Sequence, residues 1–328
     1  MADDAALVHT LSVVVPVYRG ATTLPGVIAE LAPLVLPQLS PGGRRFRLAE
    51  VLLVHDGAVD DSARVLDALA AQHAFVTPIW LSRNYGQHPA TLAGMSSSSA
   101  GWVVTMDEDG QHHPRYLGAL LDRALDEKAQ LVYAVPANQP PHGLLRNAAS
   151  GLAKTLFVSG RDTARLGRFP SYRLIWGEIA RSVAAYCGSG VNLDVALSWV
   201  VGRAAALPVD LRGGTGRPSG YDLPKLLGHF WRLVLTSGTR PLRAIALLGG
   251  AAVLLALALS GYAVWEKLTH QVPIAGWTSS IIALCFFGGA ILFSLGIIAE
   301  YLAFAVHMAM GKPAYLIVSR PGPPNAGK

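Results

Sequence analysis

The chain has 328 residues, of which 52% are hydrophobic and only 15% are charged, and its mean hydropathy is +0.37. This composition excludes an intrinsically disordered chain and disfavours a fully soluble protein, because an average soluble domain carries about 25% charged residues. The net charge of +6 is too small and too scattered to indicate nucleic acid binding, but it suits an anionic membrane surface. The two cysteines, Cys187 and Cys285, exclude a disulfide framework and fit a reducing cytosol, and the start of the chain is not typical of a signal peptide.

Apolar, β-branched runs alternate with helical patterns along the first part of the chain. The predicted strands are Leu11–Val15, Val51–Val54, Ile79–Leu81, Trp102–Met106 and Leu131–Ala134. The predicted helices are Thr22–Leu36, Asp61–Ala71, His88–Ser97 and Pro114–Asp126. This alternation predicts an α/β domain whose mostly parallel sheet is covered on both faces. Ligands of such sheets bind at the carboxyl ends of the strands, so functional residues are expected in the loops that follow them.

Three consecutive acidic residues follow the fourth predicted strand. Asp107 and Asp109 lie two positions apart, so their side chains can point the same way from an extended segment, and Gln111 could add a third oxygen. Mg²⁺ and Mn²⁺ prefer such oxygen ligands and often bridge carboxylates to phosphate oxygens. A solvated acidic turn is the alternative. The two histidines that follow have no partners at zinc-ligand spacing, so a zinc site is not expected.

The other strand-end loops carry polar groups as well. Pro16-Val17-Tyr18 follows the first strand, and Asp56 follows the second, where its carboxylate can accept a hydrogen bond from a base N–H. The third strand leads through a polar segment into a helix whose N-terminus favours negative charge. Each feature alone is ordinary turn chemistry.

Two long uncharged runs stand near the end of the chain, Ala244–Val264 and Val272–Ala299. Each is long enough to cross the hydrocarbon core of a bilayer as a helix, and two transmembrane helices are favoured over two buried core helices. Arginines precede the first run and basic residues follow the second, whereas the short loop between them holds one Lys and one Glu. The positive-inside rule therefore predicts both ends in the cytosol and the loop outside.

Four regions follow from this pattern: a cytosolic α/β domain over residues 1–221, a juxtamembrane segment over 222–240, the two spans with their outer loop over 241–308, and a cytosolic tail over 309–328. The juxtamembrane segment mixes apolar, aromatic and basic residues at helical spacing, which indicates a helix lying on the inner leaflet or an ordinary amphipathic core helix. Glu300, in the second span, either pairs within an oligomer or reaches water at the cytosolic interface. The chain is thus expected to be a multi-pass protein of the cell (inner) membrane in contact with the bilayer, and homo-oligomerisation stays open.

Taken in order, the segments VVVPVYRG, VLLVHDG, LSRNYGQHPATLAG and VVTMDEDGQHHP resemble the sequence blocks of family-two glycosyltransferases with the GT-A fold. Together with the loop from Arg212 to Tyr221 and two C-terminal spans, the arrangement is similar to polyprenyl-phosphate glycosyltransferases. Dolichol-phosphate mannose synthases and bacterial undecaprenyl-phosphate sugar transferases belong to this branch. The resemblance runs from about Leu11 to Val318, nearly the whole chain.

The resemblance implies a role for each matching residue. Nucleotide-binding roles fall on Pro16, Tyr18, Asp56, Glu108, Arg212 and Arg217, with Glu108 beside the ribose and diphosphate and the two arginines in a loop over the phosphates. Metal-binding roles fall on Asp107, Asp109 and Gln111, for Mg²⁺ or Mn²⁺. Arg146 and Ser150 match positions that bind the lipid phosphate. Asp107, Asp109 and Arg146 are therefore the implied catalytic residues.

The chain departs from the family pattern at four places. Tyr18-Arg19-Gly20 stands where Tyr-Asn-Glu is usual, and His55-Asp56 stands where two aspartates are usual. Pro136 replaces a frequent Arg, and Ser171 replaces a frequent Asp before the segment Tyr172-Arg173-Leu174.

The implied reaction is inverting transfer of a sugar from a nucleotide-diphosphate sugar to a polyprenyl (undecaprenyl-type) phosphate at the cytosolic membrane face, for modification of a cell-envelope glycan. A processive polysaccharide synthase of the same fold is disfavoured, because the chain lacks a Gln-x-x-Arg-Trp motif. A non-catalytic membrane scaffold that binds lipid or nucleotide is the alternative from another class. The sugar, the choice of uridine or guanosine diphosphate, and the lipid length are not fixed by the sequence.

Overall fold

The computed structural model describes residues 7–137, 170–212 and 276–320, together with isolated helical positions from 249 to 269. The chain divides into two compact units. One comprises Met1–Asp222 with Lys312–Lys328, and the other comprises Leu223–Gly311. Arg146, Ser150, Arg217 and the juxtamembrane segment 222–240 lie outside the described residues.

The first unit alternates strands and helices along the chain. Its strands are β1 (His9–Val17), β2 (Gln38–Leu39), β3 (Arg45–His55), β4 (Val76–Leu81), β5 (Trp102–Thr105), β6 (Leu131–Pro136), β7 (Arg173–Trp176), β8 (Ala204–Val209) and β9 (Ile317–Val318). Its helices are α1 (Leu24–Leu31), α2 (Ser62–Gln72), α3 (Gln87–Ser96), α4 (Leu117–Asp126), α5 (Gly177–Tyr186) and α6 (Leu193–Val200), and short 3₁₀ turns cover Ala32–Val35 and Pro114–Tyr116.

Within the described residues, the strands form one sheet in the order β8-β6-β7-β5-β1-β3-β4-β9, and β2 pairs with β3. The neighbours of β1 on both sides, β3 and β5, run parallel to it, as do β4 beside β3 and β8 beside β6. Only β2, β7 and β9 run in the opposite direction. The predicted mostly parallel α/β fold is therefore confirmed, with antiparallel strands interrupting and bordering it.

Alternate residues of β1 face opposite helical layers. Val13 and Val15 pack in the core beneath α1, α2 and α4. On the other face α3 lies so close that a Cβ on Gly94 would stand 2.3 Å from Cγ1 of Val14. Because β1 is buried on both faces, its sequence is a continuous apolar run instead of an alternating one. The carboxyl ends of β1, β3 and β5 consequently meet at one edge of a rigid sheet.

The predicted elements occur with shifted ends. The helix predicted over Thr22–Leu36 is divided into α1 and the following 3₁₀ turn, which has a proline at its start. The strand predicted over Val51–Val54 extends back to Arg45, where exposed and buried residues alternate. The predictions did not include β7, α5, α6, β8 and β9. Of these, β7 and β8 are short apolar runs like the strands that were predicted.

In the second unit, the described residues include one helix that is long and apolar enough to cross a membrane. This helix, α7 (Trp277–Ala309), has 33 residues, so it spans about 50 Å at 1.5 Å per residue and exceeds the hydrocarbon core. Its apolar window Phe286–Ala303 has no buried residue. The second predicted span is thus a helix that extends ten residues past its predicted end, whereas of the first span the structure describes only single helical positions.

The chain that follows α7 belongs to the first unit. β9 pairs antiparallel with β4, and Ser82 N donates to Leu316 O over 3.0 Å. Arg320 forms a salt bridge with Asp67 and lies over the ring of Trp80. The segment predicted as a tail therefore covers the edge of the sheet, which would otherwise present unpaired backbone groups.

Candidate active site

A cavity of about 410 Å³ opens at the carboxyl edge of the central strands. The end of β1 contributes Pro16, Val17 and Tyr18, and the segments after β3 and β4 contribute Asp56, Asn84, Gly86 and Gln87. The turn after β5 contributes Asp107, Glu108 and Asp109. Its size suits a small organic ligand, and four strand-end segments that are far apart in sequence converge on it, as expected for this sheet class.

Asp107 is held by side chains from two other elements. Gln87, at the start of α3, donates from Nε2 to Oδ1 over 2.6 Å, and Ser171, just before β7, donates from Oγ to Oδ2 over 2.5 Å. The carboxylate is only partly exposed. Its orientation is therefore fixed before any ligand arrives.

His112 supports the same turn from beneath. Its Nδ1 accepts a hydrogen bond from Asp107 N over 3.0 Å, and its ring stacks on Tyr172 at 4.8 Å between centroids. Burial lowers the pKa of His112, which favours the neutral imidazole that this acceptor role needs. The observed role of His112 is thus to support the backbone of the acidic turn.

Asp56 is almost completely buried and accepts two backbone hydrogen bonds. Tyr85 N donates to Oδ1 over 2.6 Å, and Gly86 N donates to Oδ2 over 2.8 Å. Burial raises the pKa of Asp56, and these two N–H groups oppose the rise. Gly57 next to it has a φ of +60°, and a Cβ there would stand 2.8 Å from Asn84 N, so glycine lets the two loops meet.

Glu108 lines the cavity with its carboxylate turned to the backbone of the first loop. Oε2 accepts from Tyr18 N over 2.8 Å, and Oε1 accepts from Arg19 N over 2.9 Å. Burial raises the pKa of Glu108, and both N–H donors oppose the rise.

Arg212 lies against the outer side of the acidic turn. Its guanidinium makes a two-point contact with Glu30, with Nη1–Oε1 2.8 Å and Nη2–Oε2 2.6 Å. Its backbone N donates to Gln111 O over 3.2 Å, and its guanidinium lies 3.1 Å from the ring nitrogens of His113. Neither Arg212 nor Gln111 is among the cavity-lining residues. Their predicted ligand contacts stay predictions, and the observed role of Arg212 is to fasten the turn to α1.

A buried ion pair anchors β7, the strand that Ser171 precedes. Arg173 and Asp194 form a salt bridge with side chains about 5% exposed, 4% and 6% respectively. Tyr133 OH donates to Asp194 Oδ1 over 3.0 Å, and Arg173 Nε donates to Thr105 Oγ1 over 3.2 Å. This network joins β5, β6, β7 and α6 directly behind the cavity.

The oxygen atoms around the cavity fit a divalent cation whose remaining ligands come from a substrate. In the described part of the chain no group of three or more His, Cys, Asp or Glu is arranged to hold a metal by itself. Asp107 and Asp109 nevertheless line one cavity, and a carboxylate with about four lone-pair sites can accept hydrogen bonds and still bind a cation. Mg²⁺ is typically held by one or two carboxylates together with substrate phosphates.

The structure thus brings together Pro16, Tyr18, Asp56, Asp107, Glu108 and Asp109 of the predicted site. It adds Gln87, Ser171 and His112, which sequence reasoning did not assign. Gln87 stands in a segment already marked by the resemblance, and Ser171 stands at a position where the family pattern often has Asp. For His112, the sequence offered one indication of this role, its position next to the acidic residues.

Comparison with known proteins places this geometry in a family. The pattern described as "Glycosyl transferase family 2" matches residues 12–176, just over half of the chain. The chain is 28% identical over 316 residues to an undecaprenyl-phosphate 4-deoxy-4-formamido-L-arabinose transferase of Klebsiella pneumoniae (strain 342), covering 94% of this chain and 93% of that protein. A protein of the same name from Edwardsiella ictaluri is 26% identical over 321 residues, covering 96% and 95%.

Among solved structures, that of a mycobacterial protein superposes with a TM-score of 0.51 and 20% identity, covering 71% of this chain and 74% of that one. At this identity the likeness concerns the fold alone. The family pattern begins one residue into the buried part of β1 and ends with β7, so it spans every loop that lines the cavity. This chain belongs to glycosyl transferase family 2.

Proposed function

We propose that this protein transfers a sugar from a nucleotide-diphosphate sugar to a polyprenyl phosphate at the membrane surface, with inversion of the anomeric centre. The observation that carries the proposal is the convergence of Asp56, Asp107 and Asp109 on one cavity at the carboxyl edge of the sheet. The full-length relatives, whose names specify an undecaprenyl-phosphate acceptor, support the choice of acceptor class. No observation favours a non-catalytic scaffold.

The donor nucleotide would lie along the ends of β1 and β3. Pro16 and Tyr18 would face its base and ribose, and Asp56, already fixed by two N–H donors, would accept from a base N–H with a remaining lone pair. The diphosphate would then lie at the acidic turn, where its negative charge and that of the carboxylates require a cation between them.

Asp107 and Asp109, with Gln111 as a further oxygen, would hold Mg²⁺ or Mn²⁺. Such a cation neutralises charge that develops on the leaving diphosphate. The contribution of the protein is orientation: Gln87 and Ser171 fix both oxygens of Asp107, and Gln111 N donates to Asp109 Oδ1 over 3.0 Å. Fixed carboxylates need no reorganisation in the transition state, which is where their charge counts.

The acceptor phosphate is ionised at neutral pH, because its second pKa is near 6, so it requires positioning more than deprotonation. Ser171 in place of a carboxylate is compatible with that requirement. Arg146 and Ser150, which lie outside the described residues, would bind this phosphate, and Arg212 and Arg217 would complete the donor side. An in-line attack by the phosphate oxygen on the anomeric carbon would release the nucleoside diphosphate and invert the centre.

Two membrane crossings agree with the chain path. β9 belongs to the same sheet as β1, so the chain after α7 must be on the side of the membrane that holds the catalytic unit. If α7 crosses the bilayer, its start lies on the other side, and the stretch between Arg212 and Trp277 must cross as well. This parity supports the predicted span over Ala244–Val264 and a catalytic unit and C-terminus on the same side of the membrane. The positive-inside rule makes that side the cytosol of the inner membrane, and the helix over 222–240 would lie at its surface.

The experiment is a transfer assay on the full chain purified in detergent. It offers undecaprenyl phosphate, Mg²⁺ or Mn²⁺, and a panel of radiolabelled UDP- and GDP-sugars, with an EDTA control. The proposal predicts metal-dependent appearance of label in the organic phase with one donor. Binding of a nucleotide sugar without any lipid-linked product from that sugar would contradict the proposed acceptor.

A further inference from the structure

Glu108 joins two loops that are 90 positions apart in sequence. Its carboxylate accepts from Tyr18 N and from Arg19 N, with Arg19 N shared between both oxygens at 2.9 and 3.0 Å. Carboxylate bonds to backbone N–H groups are charge-assisted and stronger than neutral ones. The N–H groups of Tyr18 and Arg19 are therefore held from the acidic turn, whereas Gly20 N and Ala21 N, which follow them, donate to Ser62 and Asp60 after β3.

Gly20 stands directly against this carboxylate. A Cβ on Gly20 would lie 2.9 Å from Oε2 of Glu108 and 2.8 Å from Cδ1 of Leu24, closer than real Cβ contacts. The φ of Gly20 is not in the left-handed region, so its backbone conformation does not require glycine. A side chain at position 20 and the carboxylate of Glu108 would instead compete for the same volume, so that either Glu108 or Leu24 would have to shift.

The family pattern usually has Glu at the position of Gly20, in Tyr-Asn-Glu. In this chain position 20 has no carboxylate, and Oε2 of Glu108 lies 2.9 Å from where a Cβ of residue 20 would stand. We infer that Glu108 is a positioning residue that supplies, from position 108, the carboxylate that holds the Tyr18–Arg19 backbone in its nucleotide-binding geometry. The inference rests on the proposed function, because it names how one wall of the donor site is kept in place.

Glu108 thereby connects the two sides of the donor site, the acidic turn after β5 and the loop after β1. Glu108 lies between Asp107 and Asp109, and its partners Tyr18 and Arg19 follow the base-facing Pro16. Loss of the carboxylate leaves two loop N–H groups without their acceptor and frees the loop from the acidic turn. Affinity for nucleotide should then fall, whereas affinity for the metal ion alone should change little.

The test is the effect of Gly20→Glu in two backgrounds. Binding of UDP and of GDP is measured by calorimetry on the full chain in detergent, with EDTA and with MnCl₂, and Mn²⁺ binding alone is measured by electron paramagnetic resonance. Glu108→Ala should weaken binding of the preferred nucleotide roughly tenfold in EDTA as well as in MnCl₂, the loss expected for a charge-assisted bond. In the wild-type background Gly20→Glu should weaken binding, because two carboxylates then share one space. In the Glu108→Ala background the same change should strengthen it.

Two controls separate positioning from general damage. Gly20→Ala adds the Cβ without a carboxylate and should not strengthen binding in the Glu108→Ala background. Glu50→Ala removes a carboxylate that likewise joins distant segments, through Ser12 Oγ at 2.6 Å and Ser99 N at 2.7 Å, yet it is not a cavity residue. It should lower the melting temperature and leave nucleotide affinity unchanged.

The inference is overturned if Gly20→Glu changes affinity in the same direction in both backgrounds, or if Glu108→Ala abolishes Mn²⁺ binding while nucleotide binding in EDTA is unaltered. In either case the wild type still binds nucleotide and forms lipid-linked product, so the proposed function is unaffected. A wild type that binds neither nucleotide overturns both.

Discussion

Ser171 Oγ donates a 2.5 Å hydrogen bond to Oδ2 of Asp107, across 64 positions of the chain. Ser171 directly precedes β7, and β7 is held in the sheet by the buried pair of Arg173 and Asp194. The position of the acidic turn is thus set partly by an antiparallel strand that follows residues 138–169 in the sequence. The Asp107 carboxylate is thus oriented by a side chain that directly precedes a strand anchored in the sheet.

Removal of the Ser171 hydroxyl should raise the metal concentration that transfer requires and should have a smaller effect on the stability of the fold. Ser171→Ala should raise the Mn²⁺ concentration needed for half-maximal transfer by about tenfold, the lower end of the range for groups that orient a metal ligand. Ser171→Thr keeps the hydroxyl and serves as the matched control. An unchanged Mn²⁺ requirement in Ser171→Ala would show that the hydroxyl does not orient Asp107.

The buried ion pair should be sensitive to loss of one partner. Asp194→Ala leaves the guanidinium of Arg173 buried without its charge partner, which costs about 3–5 kcal/mol. The melting temperature of the first unit should fall by roughly 10 °C, followed by circular dichroism in detergent. The double variant Arg173→Met/Asp194→Leu should melt closer to the wild type than either single change does. A single variant that melts with the wild type would contradict this description of the network.

The contact between Arg212 and Glu30 should depend on pH. The hydrogen bond from Arg212 is the main cause that lowers the pKa of Glu30 below its ordinary value of 4.5. A lowered pKa in the folded state contributes stability that is fully present above pH 4.5 and is lost as the pH falls through the lowered value. The melting temperature of the wild type should therefore exceed that of Glu30→Gln at pH 7, and the difference should shrink below pH 4.5. A difference that stays constant down to pH 3.5 would contradict the assignment.

The pairing of β9 with β4 puts the C-terminal segment on the same side of the membrane as the catalytic unit, and the positive-inside rule predicts that this side is the cytosol. In a Cys285→Ala background, a cysteine introduced at Ala275 should react with an impermeant maleimide from outside intact cells, and one introduced at Gly322 should not. The native Cys187 should react little with the maleimide, because burial raises the pKa of its thiol to about 11. Labelling at both positions, or at Gly322 alone, would contradict two crossings with a cytosolic C-terminus.

The part of the fold that follows from local sequence is the part made of buried parallel strands. β1 is apolar and buried at consecutive positions from Val13 to Val15, so its sequence alone indicates a central strand, and the acids after β5 indicate the functional end of the sheet. β9 is different. It has two residues, and its register depends on β4, on Arg320 and on a chain that first passes through the second unit.

The candidate site divides in the same way. Asp107, Asp109 and Asp56 are predictable, because carboxylates at strand ends carry recognisable chemistry at short range. The roles of Glu108 and Ser171 are not, because each acts on a loop more than 60 positions away and only the assembled sheet brings the partners together. The glycine at position 20 belongs with these, because the carboxylate beside it comes from Glu108 in a distant loop.

The central claim is that the acidic turn carries transfer of a sugar to a polyprenyl phosphate. It is tested most directly by the label that the wild type, Asp107→Asn and Asp61→Asn place in the organic phase with the donor found active. Asp61 makes a surface pair with Arg64, outside the cavity, and is the matched control. The account predicts that Asp61→Asn works like the wild type and that Asp107→Asn is at least ~100-fold slower while remaining folded, since metal-assisted charge stabilisation is worth several kcal/mol. Equal labelling by Asp107→Asn and the wild type would contradict it.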